Sequence, residues 1–247
     1  MSGERLDKTL VSTGRWTRSE VRRLIREGRV WVDGRAAAAG EEKVDAAGVD
    51  IRVDGEAVVC RRFVYVMLHK PAGVLSATED GRGRTVLDLL PEQYRRRGIF
   101  PVGRLDKDTE GLLLLTDNGA LAHELLSPKK HVDKQYFARV AGVLTEEDRA
   151  AFAGGMALGD GFNCLPAELD ILTAGQESEA MVTLREGKYH QIKRMFAARG
   201  KRVVYLRRES MGSLLLDKSL APGQWRELSA EEERQLAKCP TKRCHQI

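Results

Sequence analysis

Gly103-Arg104-Leu105-Asp106-Lys107-Asp108-Thr109-Glu110-Gly111 runs without a break into Leu112-Leu113-Leu114-Leu115-Thr116. A half-buried strand would alternate apolar and polar residues; four consecutive leucines instead predict a strand covered on both faces. Carboxylates therefore stand where a loop enters a dry strand. On residue types alone three accounts stay open. The stretch is a solvated connection, as polar loops usually are. Alternatively, Asp106, Asp108, Glu110, Gly111 and Asp117 occupy positions one, three, five, six and twelve of a calcium-binding loop. Pro101 and Gly103 spoil the helix such a loop needs, and position twelve carries Asp rather than Glu. Thirdly, Asp106 and Asp108 form the Asp-x-Asp of a phosphatase nucleophile pair, though Gly-Arg-Leu precedes them where a buried strand should.

Outward from this stretch the pattern is mixed. Strands are predicted at Val64–Leu68, Gln135–Val140, Glu168–Leu172, Ala180–Leu184, Arg202–Leu206 and Leu214–Leu216. Helices are predicted at Val86–Leu90, Ala120–Leu126, Glu146–Phe152, His190–Arg199 and Ala230–Ala237. Strands outnumber helices and hairpin signals such as Asp117-Asn118-Gly119 recur, which points to an α+β fold with a mostly antiparallel sheet. Glycine-rich nucleotide loops are absent in both their spacings. Ahead of this region, Leu6, Leu10 and Val11 have helical spacing that Gly14 breaks. Thr17 with Glu20 is a capping-box signature opening a helix over Arg18–Glu27. Val30-Trp31-Val32 is a short strand, residues 35–48 read as a loop, and Val49–Val53 alternates as a strand. A boundary near Arg61-Arg62 divides the chain into 1–62, 63–238 and a tail, 239–247.

The chain has 247 residues, 42% hydrophobic and 31% charged, which excludes wholesale disorder. No window approaches ~18 consecutive apolar residues, and the start carries no apolar leader, so a cytoplasmic protein without a membrane anchor is expected. The net charge of +5 matters less than its distribution. Residues 1–35 hold nine Lys/Arg against five Asp/Glu, and residues 183–209 hold nine against two. Two concentrated basic stretches suit a polyanion, because each neutralised phosphate releases counterions. With Val21, Leu24 and Ile25 inward, Arg18, Arg22, Arg26 and Arg29 point elsewhere. Cys60 and Cys164 read as packed thiols. Cys239, Cys244 and His245 supply three zinc ligands where a structural site wants four, so no metal is expected.

Several ordered blocks carry a resemblance. Gly103-Arg104-Leu105-Asp106 with Asp108–Thr116 resembles the signature of RNA pseudouridine synthases. His69-Lys70-Pro71-Ala72-Gly73 resembles their early strand-turn, and Lys134-Gln135-Tyr136 their tyrosine motif. Tyr189-His190-Gln191-Ile192-Lys193-Arg194-Met195 and Val204-Tyr205-Leu206-Arg207-Arg208 resemble their last two. Residues 1–62 resemble the small alpha-L RNA-binding domain of a ribosomal protein. Leu126-Ser127-Pro128-Lys129, His131-Val132-Asp133-Lys134 and Lys193 resemble the branch acting on small-subunit (16S) ribosomal RNA; large-subunit relatives tend to carry Arg at that lysine. The order Asp117-Asn118-Gly119 and the acidic, proline-free Glu209–Ser213 depart from the commoner pattern.

The resemblance implies an isomerase that flips a uridine out of ribosomal RNA, breaks its N1–C1′ bond and rejoins C5 to C1′. Nothing is oxidised and no group enters or leaves, so no cofactor is expected. An ionised carboxylate is needed at C1′, and Asp106 takes that role; Asp108 and Glu110 read as loop acids. A cation within ~4–6 Å keeps a carboxylate charged in a dry pocket, and Lys193, one step off the seam of Ile192, Met195 and Phe196, supplies it. Tyr136 offers a flat ring and a proton-carrying hydroxyl. Arg104 fills the space left by the flipped base, and Leu206 supports the pocket. RNA contacts are expected from Arg5, Arg15, Arg18, Arg22, Arg26, Arg29, His190, Arg194, Arg207 and Arg208. The partner is ribosomal RNA or a ribosomal subunit precursor, met by a monomer. The rival readings are a non-catalytic, RNA-binding ribosome-assembly factor and a synthase acting on large-subunit RNA.

Overall fold

The computed structural model describes residues 3–45, 48–127, 130–159 and 161–238. The tail with Cys239, Cys244 and His245 lies outside them. Two compact units are present. One runs to Val64 and takes in Leu90–Ile99; the other comprises Tyr65–Leu89 and the described residues from Phe100 onward. A single cut at residue 62 therefore does not describe the division, because Leu90–Ile99 returns to the first unit.

The first unit contains β1 (Glu4–Arg5), α1 (Leu6–Ser12), α2 (Arg18–Arg26), β2 (Val30–Val32), β3 (Arg35–Ala36), β4 (Lys43–Val44), β5 (Ile51–Val53), β6 (Glu56–Ala57) and α3 (Glu92–Arg97). Helix α2 opens as its sequence dictates. The Glu20 N–H donates to Thr17 Oγ1 at 3.3 Å, and the Thr17 N–H donates back to Glu20 Oε2 at 2.7 Å. These bonds satisfy two of the helix's orphan donors. The inward stripe Val21, Leu24 and Ile25 packs with Leu6, Leu10, Val30, Val32, Ile51 and Val53. Residues 35–48 are not a plain loop, since β3 pairs with β2 and β4 with β1. Two-residue strands carry too few side chains to show a period. Gly14 is required at its turn: its φ is +74°, and a Cβ there would lie 2.0 Å from the Gln93 carbonyl oxygen.

The second unit is built on one sheet. Its strands are β7 (Tyr65–Lys70), β8 (Phe100–Pro101), β9 (Glu110–Thr116), β10 (Lys134–Ala141), β11 (Glu168–Thr173), β12 (Glu177–Leu184), β13 (Arg202–Met211), β14 (Leu214–Leu215) and β15 (Trp225–Glu227). They lie in the order β11-β12-β10-β13-β9-β7-β15, with β14 on β13 and β8 on β9. Among the described residues only β9 and β13 pair in parallel, so the sheet is mostly antiparallel, as expected. Its helices are α4 (Gly119–Leu126), α5 (Glu146–Gly154), α6 (Gln191–Ala198) and α7 (Ala230–Lys238). Val86–Leu89 forms a 3₁₀ turn where an α-helix was expected, a tighter form common in short pieces.

Strand β9 explains the four leucines. It lies between β7 and β13, and Leu112–Leu115 are all fully buried. Leu112 and Leu114 pack with Met67, Val102, Ala122, Leu125 and Leu228. At its start Gly111 has φ +104°, and a Cβ would meet the Arg208 carbonyl oxygen at 2.3 Å. Only glycine lets the loop enter the sheet beside its parallel neighbour.

Candidate active site

The loop between β8 and β9 is pinned on both sides of Asp106. Upstream, Ser76 Oγ donates to the Leu105 carbonyl at 3.0 Å and accepts the Leu105 N–H at 3.1 Å. Downstream, the fully buried Lys70 donates from Nζ to the carbonyls of Pro71, Lys107 and Thr109 at 3.0, 3.2 and 2.9 Å. Three ammonium protons meet three carbonyls, so the cation is satisfied without a carboxylate in contact. Burial pulls its pKa down to about 8, against the opposing pull of Asp108, Asp106 and Glu110. Further along, Arg208 Nε donates to the Leu112 carbonyl at 2.8 Å.

Helix α6 brings the opposing charge. Its buried seam is Gln191, Ile192, Met195 and Phe196, which leaves Lys193 at the edge of the pocket. Lys193 Nζ lies 3.2 Å from Asp106 Oδ2 and 2.6 Å from Asp108 Oδ1. Burial pulls the lysine down, but Asp108 and Asp106 outweigh it and hold its pKa above the ordinary value. The hydrogen bond from Lys193 in turn holds the Asp108 carboxyl below the usual range. Both charges are thus present at neutral pH. His190 Nε2 is 3.6 Å from Asp106 Oδ1, close enough for an ion pair when protonated but beyond a good hydrogen bond.

Tyr136, Leu206, Leu184, Ile192 and Arg104 complete the lining around Asp106, Lys193 and His190. The tyrosine is 8% exposed and Leu206 6%, so one wall is apolar and flat while the other carries charge. Such a pocket can hold a planar base against the tyrosine and present an anion to the atom beyond it. The loop acids diverge: Asp106 and Asp108 turn to Lys193, whereas Glu110 Oε2 accepts the Tyr205 hydroxyl at 2.8 Å. Asp108 is therefore more than a loop acid, because it takes the shorter of the two contacts with Lys193.

The arginines divide by environment. Arg18, Arg22 and Arg26 are exposed along α2. Arg15 lies 4.6 Å over the Trp16 ring, and Arg5 and Arg29 are already paired, with Asp7 and Glu41 and with Glu27 and Asp54. Arg194 Nη1 donates to the Tyr189 carbonyl at 3.4 Å. Arg207 pairs with Glu209 at 2.5 Å and lies over the Phe137 ring. Arg208 corrects the expectation of an RNA contact. It is 2% exposed, because alternation along β13 turns it inward with Leu206. Lys70 and Ser76 were missed as loop anchors. A lysine two residues beyond the apolar run Val66-Met67-Leu68 was the available signal, since a cation at that place needs buried acceptors.

Comparison with known proteins agrees with this architecture. The family model described as RNA pseudouridylate synthase matches residues 64–198, and the S4 domain model matches residues 4–48. The chain is 48% identical over 229 residues to an uncharacterized RNA pseudouridine synthase of Bacillus subtilis, covering 92% of this chain and 96% of that protein. It is 39% identical over 229 residues to ribosomal small subunit pseudouridine synthase A of Vibrio cholerae, covering 92% and 97%. Against ribosomal large subunit pseudouridine synthase B of Bacillus subtilis it is 38% identical over 237 residues, covering 94% and 95%. A crystal structure of a pseudouridylate synthase superposes with a TM-score of 0.66 at 35% identity, covering 94% of this chain and 99% of that one. The chain belongs to the RNA pseudouridine synthase family, with an S4 domain ahead of its catalytic domain.

Proposed function

We propose that the protein converts one uridine of small-subunit ribosomal RNA to pseudouridine, with Asp106 as the carboxylate at C1′. The observation that carries this reading is an under-bonded, quarter-exposed carboxylate with one lysine at 3.2 Å, facing a buried tyrosine across a pocket. The uracil lies against Tyr136. Asp106 meets the charge that develops at C1′ as the N1–C1′ bond breaks, with Lys193 as its counter-charge at 3.2 Å. The freed base turns within the pocket, C5 joins C1′, the C5 proton leaves by way of the Tyr136 hydroxyl or solvent, and N1 takes up a proton from solvent, so the atoms balance. Leu206 and Ile192 limit water access, which strengthens each of these interactions. Arg104 stands at the rim where it takes the space of the flipped base. The exposed arginines of α2 supply phosphate contacts, which raise affinity without reading sequence.

The small-subunit assignment follows Lys193 and the relatives named for that subunit. Comparable identity to a large-subunit enzyme makes the other ribosomal RNA the second reading. Mapping pseudouridine in both ribosomal RNAs from cells with and without this protein tests both. One small-subunit uridine should lose its modification and regain it with the wild-type chain, but not with Asp106→Asn. A lost site in large-subunit RNA would move the substrate and leave the chemistry. Restoration by the Asn variant would remove Asp106 from the mechanism, and no lost site would favour a binding role alone.

A further inference from the structure

Tyr189 stands immediately before α6 and is 76% exposed, more than any other exposed large apolar or aromatic side chain among the described residues. One exposed tyrosine needs no explanation. Its setting is unusual, however. The ring is stacked on that of His190, with centroids 3.8 Å apart and planes 17° from parallel. His190 lines the pocket and reaches to 3.6 Å from Asp106. The two rings therefore continue outward from the catalytic carboxylate as a short stack, one face covered by histidine and the rest open to solvent.

The backbone holds this arrangement at some strain. His190 has φ +49° and ψ +31°, a left-handed conformation that non-glycine residues seldom adopt. It is kept there by its neighbours. The Lys188 N–H donates to Gln191 Oε1, the Gln191 N–H donates to the Lys188 carbonyl, and the Arg194 N–H donates to the His190 carbonyl. Gln191 is 3% exposed, so the clamp is firm. The Arg194 guanidinium, which donates to the Tyr189 carbonyl at 3.4 Å, brings positive charge to the base of the stack, whereas Lys188 lies over the Phe162 ring.

We propose that Tyr189, backed by His190, is a stacking platform for the nucleobase adjacent to the uridine held at Asp106. A flat aromatic face with one side already stacked, an arginine at its base and a pocket one ring away matches a single-stranded nucleotide in shape and charge. When the target base leaves its helix its neighbour loses a stacking partner, and the open face of Tyr189 replaces it. This inference rests on the reading that the Asp106 pocket takes the uridine.

Stacking of this kind tolerates sequence, so the full-length protein can be tested with a single-stranded nonauridylate carrying 2-aminopurine beside the central uridine. The wild type should quench the 2-aminopurine on binding, and Tyr189→Phe should quench as well. Tyr189→Ala and Tyr189→Leu should bind about tenfold more weakly without quenching. The side chain is largely in solvent, so these variants fold. Quenching by the Ala variant, failure of the Phe variant, or no quenching by the wild type overturns the platform. Asp106→Asn should still quench the probe while making no pseudouridine in ribosomal RNA. If it makes pseudouridine and quenching persists, the catalytic assignment fails and the platform stands; if only quenching fails, the reverse holds.

Discussion

Helix α6 lies between two carboxylates that use similar partners in opposite ways. Beyond its C-terminal end, Asp148 of α5 is fully buried and saturated. It accepts the Thr145 N–H at 2.9 Å, Arg199 Nε at 2.9 Å and Lys201 Nζ at 2.9 Å. Burial alone would raise its pKa, but Lys201, Arg199 and the Thr145 N–H outweigh this and hold it below the usual range. At the N-terminal end Asp106 keeps a quarter of its side chain in solvent, with Lys193 at 3.2 Å and His190 at 3.6 Å. A carboxylate whose lone pairs are all taken can only hold structure, whereas one left under-bonded can act on a substrate. The Asp148 cluster and the Phe152–Phe196 contact, at 4.9 Å between centroids, fix one end of α6.

The largest effect should come from the working end. Lys193→Met removes the cation and leaves Asp106 and Asp108 facing one another. Its single-turnover rate at saturating RNA should fall roughly 100-fold, in the range seen when a charge-stabilising group is deleted. Lys193→Arg should recover most of that loss. A Met variant that binds RNA weakly yet reacts at the normal rate once saturated would make Lys193 a phosphate contact and dissolve the comparison.

At the structural end the expected change is in stability. Breaking a buried ion pair costs about 3–5 kcal/mol, but the Arg199 and Lys201 side chains are 34% and 15% exposed and can rehydrate. Asp148→Ala should therefore lose about 2–3 kcal/mol, a drop in Tm of roughly 5–10 °C, with activity per folded molecule retained. Because the folded-state pKa of Asp148 is depressed, its contribution is present above the unfolded value and lost as pH falls through the folded one. The variant should accordingly show a shallower acid decline in Tm. Lost activity at unchanged Tm would mean that this cluster, too, serves the chemistry.

A smaller effect sharpens the same distinction for a cation. Lys70 gives one proton to each of three carbonyls, and above its folded-state pKa of about 8 it has only two to give. The loop that carries Asp106 then loses about one hydrogen bond, roughly 1 kcal/mol or fivefold in rate. An unfolded lysine keeps its proton to about pH 10.4, so between these values the unfolded chain binds more protons and this group's contribution to stability rises with pH. Rate and Tm measured together from pH 7 to 10 should separate: a falling rate that tracks a falling Tm would assign the loss to unfolding instead.

Much of the scaffold was legible because its signals are local. Thr17 and Glu20 are three residues apart, the four leucines of β9 are contiguous, and Tyr136, Ala138 and Val140 alternate inward along β10 as a period of two requires. Elements too short for a period were not legible: β15, with three half-buried residues, and α3, with one buried side chain. The resemblance located Asp106, Tyr136 and Lys193, and residue types explained why a carboxylate, a ring and a cation suit one another.

What the sequence determined by itself was which groups exist and which face of its own strand or helix each would take. The tertiary structure alone decided who meets whom. Lys193 and Asp108 are 85 residues apart, Lys70 and Thr109 are 39, and Arg208 and Leu112 are 96. Each contact depends on where the strands close into the sheet. A chain position carries no record of that, since burial, partner and charge state follow from packing among segments that the backbone brings together only on folding. Thus Arg208, one of two adjacent arginines in a basic stretch, became a buried anchor for the Leu112 carbonyl, while Asp108, an ordinary acid of a polar loop, became the closer partner of Lys193.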